Sequence, residues 1–241
     1  MSFIDKRILD SVNSYKLFLE QSINNLININ NNNPNFNYFA TGEYKLFSII
    51  AENVRMDLNY LLFLNLDFDF LGFPAIKRNL RISIEAYYDL YNLVSDRSYM
   101  DLLKYQSVNN SYIDTTTINI YQPYLKKKII NINRSPLSIK EKATIAKNKN
   151  NLPSDIHDQF KIIATDSNSY IHPNIFVITN NNRDTLLKDL ILCDCCLVMY
   201  AFELLNRFMA NCQAPYISAI NPRFEYNRLY NVIAPIPWIY L

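Results

Sequence analysis

Apolar residues recur at helical spacing along most of this chain. Ile4, Ile8, Val12, Tyr15, Leu19, Ile23 and Leu26 form one stripe, which predicts a helix over 3–27 with Ser2 as its cap. The run Asn30 to Asn33, followed by Pro34, interrupts it as a polar loop. A second stripe, with Phe47, Ile50, Val54, Leu58, Leu61 and Leu62 on one side, predicts a helix over 41–66. Pro74 suits a first helical position and opens a third over 74–94, and residues 96–108 form a short fourth. Ser138 and Glu141 have capping-box spacing for a brief helix to about 148. Ser154 caps another that ends near Tyr170, and the longest late helix runs over 184–212.

Two segments break the pattern. Residues 109–133 mix Thr115 to Thr117 with Tyr121, Pro123, Tyr124 and Ile129, an irregular excursion that has room for a short hairpin. The tail, 215–241, carries Pro222, Pro235 and Pro237 among aromatics and reads as extended chain packed on a bundle. No internal repeat and no domain boundary is visible. The expected architecture is one all-α domain over 1–241, a bundle of about six helices.

Composition narrows the function classes more than it names one. The 241 residues contain only two glycines, Gly42 and Gly72, neither in a glycine-rich context. That excludes a phosphate-cradling P-loop and a dinucleotide fingerprint, both of which need several glycines for close backbone approach. Twenty-four basic against twenty-two acidic residues leave a net charge of +2, so no global field draws the chain to nucleic acid or acidic lipid. Asp5, Lys6, Arg7 and Asp10 interrupt any amino-terminal signal peptide. Asp194 and Glu203 flank the longest apolar run, which is too short to span a bilayer. A cytoplasmic protein without membrane contact is expected. Of the four cysteines, Cys193 and Cys196 have Cys-Xaa-Xaa-Cys spacing, but no second half-site accompanies them, so the expectation is core packing, no metal and no cofactor.

Chemistry concentrates on three helices. Projected at about 100° per residue, the third helix is apolar on two sides, with Leu80, Ile84, Tyr87, Tyr88 and Tyr91 on one and Ala75, Ile82, Ala86, Leu90 and Leu93 on the other. A narrow polar strip of Arg78, Arg81, Glu85, Asp89 and Asn92 separates them and faces either solvent or a cleft. Arg81 and Glu85 can pair, whereas Glu85 and Asp89 should repel unless a cation or ligand lies nearby. On the late helix Asp194 projects into an apolar stripe of Leu190, Cys193, Leu197, Ala201, Leu204 and Phe208. A buried carboxylate requires a partner, and Arg81, Arg55 and His172 are the candidates. His172 precedes Pro173, which ends its helix and sets the imidazole at a helix carboxyl end, where it either caps the helix or serves as a general base. His157, beside Asp155 and Asp158, reads as a surface residue. Lys126, Lys127 and Lys128 beside Tyr124 form the best basic and aromatic patch for nucleic-acid binding, with a solvated surface as the alternative.

The segment Leu80-Arg81-Ile82-Ser83-Ile84-Glu85-Ala86-Tyr87, followed some ninety residues later by Ser169-Tyr170-Ile171-His172-Pro173, resembles a group of bacterial all-helical proteins related to the HEPN superfamily. The resemblance implies a helical bundle, often dimeric, of the kind found among ribonucleases of toxin–antitoxin and phage-defence systems. The nuclease signature of that superfamily sets an Arg and a His four to six residues apart on one helix. Neither His157 nor His172 has an Arg at that spacing, so a catalytic pair requires Arg81 and His172 to meet from different helices. The expected activity is RNA- or nucleotide-directed, with His172 exchanging protons, Arg81 holding phosphate, Glu85 orienting one of them and Asp194 converging on the same polar site. The alternative is a non-catalytic interaction protein in which these residues form a structural network and the tail docks a protein partner or a second copy.

Overall fold

Side-chain caps and apolar spacing start the helices where the chain leaves its polar loops. The computed structural model describes residues 5–32, 37, 40–64, 72–107, 112–126, 128–129, 137–168, 187–212 and 221–235. Helix α1 spans Lys6–Asn31 and is capped by Asp5, whose carboxylate accepts the Arg7 backbone N–H at 2.8 Å. The expected cap, Ser2, lies outside the described residues. Helix α2, Gly42–Leu64, begins beside Thr41, whose hydroxyl accepts the Tyr44 N–H at 3.2 Å. Helix α3 spans Gly72–Ser95 and α4 spans Tyr99–Ser107. Pro74 sits in the first turn of α3, where its missing N–H has no intrahelical role.

The excursion at 109–133 holds a helix where a hairpin had room to form. Helix α5, Thr115–Tyr121, is capped by Asp114, which accepts the Thr117 N–H at 2.6 Å, and a 3₁₀ turn over Gln122–Tyr124 follows it. The capping box of Ser138 and Glu141 opens α6, Ile139–Thr144, which widens into a π-helical turn over Ile145–Lys149. Asn151, at φ 59°, then redirects the chain into α7, Ser154–Asn168. Helix α8 spans Leu187–Asn211.

The tail also departs from its expectation. Residues Pro222–Ile233 form helix α9 rather than extended chain. Asn221 accepts the Phe224 N–H at 3.0 Å, Pro222 occupies the first turn, and Pro222, Leu229 and Ile233 are buried at helical spacing. The described residues therefore contain nine α-helices and no strand, against the expected six or so, and the two that no stripe or cap had indicated are α5 and α9.

Helix α3 is the centre of the packing, as its two apolar sides require. It lies against α2 and α8 on one side and against α6 and α7 on the other, while α1 packs on α2 and α9 bridges α1 and α8. Ala86 to Leu93 are all buried. Ile82, assigned to the second apolar side, is instead half exposed, because the flanking helices leave that part of α3 uncovered. Edge-on aromatic contacts tie the layers together: Phe47 meets Phe202 at 4.6 Å and Tyr87 meets Phe160 at 5.1 Å between ring centroids. From α1, the Tyr15 hydroxyl donates to the Cys195 carbonyl at 3.0 Å. A smaller core of Leu93, Tyr99, Leu102, Tyr121 and Ile145 joins α4, α5 and the π-helical turn to the end of α3.

Candidate functional site

The polar strip of α3 is a covered seam, and α6 covers it. Lys142, almost fully buried, reaches back from α6 to Glu85 at 2.9 Å and Asp89 at 2.6 Å. The repulsion expected between those two carboxylates is thus relieved by a cation from the protein itself. Burial opposes the Lys142 charge, but Asp89 and Glu85 outweigh it and hold the ammonium above its usual range. The Tyr99 hydroxyl donates to Asp89 at 2.6 Å, and Asn92 donates to the Lys142 carbonyl at 3.0 Å while accepting from the Asn150 amide at 2.9 Å. Glu85, expected to orient a catalytic group, is therefore bound into a structural network.

One turn earlier the strip opens. Arg81 lines a cavity of about 370 Å³ between α3, α6 and α7, together with Tyr88, Ile139, Lys140, Ala143, Thr144, His157, Lys161, Ala164 and Thr165. No carboxylate is among these residues. Among the described residues the Arg81 Nε and the His157 Nδ1 are enclosed and have no hydrogen-bond partner. Such orphaned donors and acceptors each cost about 1–3 kcal/mol, so their presence beside a cavity is chemically informative. Burial holds the His157 imidazole below its usual range, the ammonium of Lys147 adds to this and Lys161 contributes less, against an opposing pull from Asp158. His157 is consequently neutral near pH 7. Burial also lowers Arg81, with Glu85 opposing, but a guanidinium keeps its charge. The arrangement suits an anionic group held by fixed cations beside a neutral imidazole able to accept a proton.

The expectation that His157 lies on the surface is overturned: it is 8% exposed, against Tyr88 of α3, whose hydroxyl donates to the His157 carbonyl at 3.5 Å. A signal for this was present. His157 stands three and seven residues before Phe160 and Ala164, in the stripe that α7 buries against α3. The adjacent Asp155 and Asp158 lie on the outer face of α7 and mask that stripe.

Asp194 has a partner of unexpected kind. It is 1% exposed, and its side chain is hydrogen-bonded to a second buried carboxyl, Asp57 of α2, rather than to Arg55 or Arg81, while His172 lies outside the described residues. Arg55 instead pairs with Glu52 on the outer face of α2, through contacts of 2.5 and 2.9 Å. Burial pushes the Asp57 carboxyl up to about 7, although the Asn79 amide donates to it at 2.6 Å, and burial with the neighbouring Asp57 charge pushes Asp194 higher still. Asp194 therefore carries a proton and donates it to Asp57. Two carboxyls can share a dry site only in this way, because both cannot ionise together. This pair joins α2 to α8 and does not line the Arg81 cavity.

His172 and its flanking residues, the motif that closes the expected site, lie outside the described residues, as does Lys127. Lys126 and Lys128 are exposed, and Tyr124 is half-buried against the smaller core. The Lys126 backbone N–H donates to Glu141 at 3.3 Å, which sets this patch on α6 one residue from Lys140 of the cavity. Cys195 and Cys196 are buried and Cys193 is half-buried, all reduced, with burial raising Cys193 to about 12 and Cys196 to about 11. Among the described residues no group of three or more His, Cys, Asp or Glu side chains is placed to hold a metal ion, and no helix is long and apolar enough to cross a membrane. Comparison of the chain with protein families, with curated proteins and with solved structures finds no match in any of the three.

Proposed function

We propose that this chain binds and acts on the phosphate of an RNA or a nucleotide in the α3–α6–α7 cavity, as a cytoplasmic, HEPN-like protein of the defence or toxin type. One observation carries the reading: Arg81 and His157, from two helices, line a cavity that among the described residues holds lysines on two further positions and no acid, each with an enclosed nitrogen that has no partner among them. Cationic side chains around a confined site attract phosphate, and a neutral imidazole near pH 7 is suited to general-base work. In this scheme Arg81 and Lys161 hold the phosphate, His157 takes a proton from the attacking hydroxyl or water as its oxygen bonds to phosphorus, and the opposite P–O bond breaks, its leaving oxygen taking a proton from solvent. His157 thus replaces His172 as the partner of Arg81, while Glu85 and Asp194 serve the fold.

The test is cleavage of RNA and of nucleotides by the wild type, Arg81→Ala and His157→Ala, with folding followed by circular dichroism. Activity in the wild type that falls at least a hundredfold in folded His157→Ala supports the scheme. Absence of cleavage, or equal cleavage by all three, overturns it. A second reading, a non-catalytic interaction protein, is favoured by α9, where Phe224 is 61% exposed and Tyr230 and Val232 are also uncovered. That reading predicts a dimer or a protein partner that is lost in Phe224→Ser, with no dependence on His157.

A further inference from the structure

The cavity that holds Arg81 and His157 has a size and a charge balance that narrow its ligand. At about 370 Å³ it lies at the small end of clefts that enclose whole small molecules, about 300–1,000 Å³. Each of its three walls contributes one permanent cation: Arg81 from α3, Lys140 from α6 and Lys161 from α7. The other lysines of the same stretch are all neutralised, Lys142 by Glu85 and Asp89, Lys147 by Asp158 at 3.4 Å and Lys149 by Asp96. Lys140 and Lys161 have no ion pair among the described residues.

Three like charges on converging walls repel one another, and an anion bound between them relieves that repulsion. A phosphodiester brings one negative charge, whereas a terminal phosphomonoester brings about 1.5 to 2 at neutral pH. The monoester therefore balances this cavity more nearly. The Thr144 and Thr165 hydroxyls are turned back on their own helices, donating to the Lys140 and Lys161 carbonyls at 2.7 and 2.8 Å, so charge dominates the recognition. Beyond the cations the lining is apolar, with Ile139, Ala143 and Ala164 available to a flat organic group.

We infer that the cavity takes the terminal phosphomonoester of a nucleoside monophosphate unit, with the phosphate between Arg81, Lys140 and Lys161 and the nucleoside against Ile139, Ala143 and Ala164. This rests on the phosphate reading above and specifies which phosphate. The unit can be a free nucleotide or the phosphorylated end of a strand, and the probes separate these sources.

Calorimetric titration of the full chain with adenosine, adenosine 5′-monophosphate and an adenine dinucleotide with and without its 5′-phosphate tests the inference. The phosphorylated dinucleotide should bind about tenfold or more tightly than the unphosphorylated one. Lys140→Gln and Lys161→Gln, both at exposed positions and with the fold followed by circular dichroism, should each weaken the phosphorylated probes several-fold and by more than they weaken the unphosphorylated dinucleotide. Binding of adenosine 5′-monophosphate as well identifies a free nucleotide as sufficient, and binding of the phosphorylated dinucleotide alone identifies a strand end. Equal binding of the two dinucleotides overturns the monoester inference and leaves the broader phosphate reading standing. No binding by any phosphate-bearing probe overturns both.

Discussion

Replacing Asp57 by Asn removes the group whose titration is most displaced toward neutrality in the core. Asp57 moves from an ordinary 3.8 to about 7 because burial penalises its charge by more than the hydrogen bonds from Asn79 and Asp194 favour it. Its acid form is favoured in the native state, so its contribution to stability is fully present below about pH 4 and is lost as pH rises through about 7. The gap of about 3 pH units, at about 1.4 kcal/mol per unit, amounts to about 4 kcal/mol, and about 2 kcal/mol of it falls between pH 5 and pH 7. Asparagine is nearly isosteric, accepts the Asn79 amide through its own oxygen and does not ionise. Urea unfolding of the wild type and Asp57→Asn, followed by far-ultraviolet circular dichroism from pH 5 to pH 8, reads the difference directly. The wild type should lose about 3 kcal/mol relative to the variant across that range, and the double variant with Asp194→Asn should lose the remaining slope. A difference between wild type and Asp57→Asn that stays constant from pH 5 to pH 8 would refute the shared-proton pair.

The remaining predictions concern the seam, the tail and the cavity. Lys142→Ala leaves Asp89 buried without its cation and should cost about 3–5 kcal/mol in urea unfolding; a loss below about 1 kcal/mol would show that the Glu85–Lys142–Asp89 seam is not holding α6 to α3. Leu229→Ala should cost about 2–5 kcal/mol, whereas Phe224→Ala on the outer face of α9 should stay within about 0.5 kcal/mol. Equal effects would count against the docking of α9 on α1 and α8. Arg81→Met removes an enclosed donor that has no partner, so the unliganded protein should be as stable as the wild type or gain about 1 kcal/mol. A loss of more than about 2 kcal/mol in its melting transition would assign Arg81 a structural partner instead.

Several elements were legible in the chain because they depend on local rules. The stripes over α1, α2, α3 and α8 report which side each helix buries, and the Ser138–Glu141 capping box opened α6 where its spacing required. Short-range misreadings had local causes as well. Thr115 to Thr117 disguised α5 as β-prone chain although Asp114 was in place to cap it, and the prolines of the tail hid an Asn-Pro helix start at Asn221 and Pro222. The same local rules locate the polar strip of α3 and the intrusion of Asp194 into an apolar face.

What met those residues was decided by tertiary packing. Nothing in the local pattern states that Lys142, 53 residues beyond Asp89, lies between it and Glu85, or that Asp57 shares a proton with Asp194 across the α2–α8 interface. Nor does it state that His157, read as a surface residue, shares a cavity with Arg81. Helix formation follows hydrogen bonds and side-chain spacing within a few residues, which the sequence displays. The chemistry of a buried polar group depends on which distant side chain is brought within about 3 Å of it, and only the packed arrangement of α3 among α2, α6, α7 and α8 determines that.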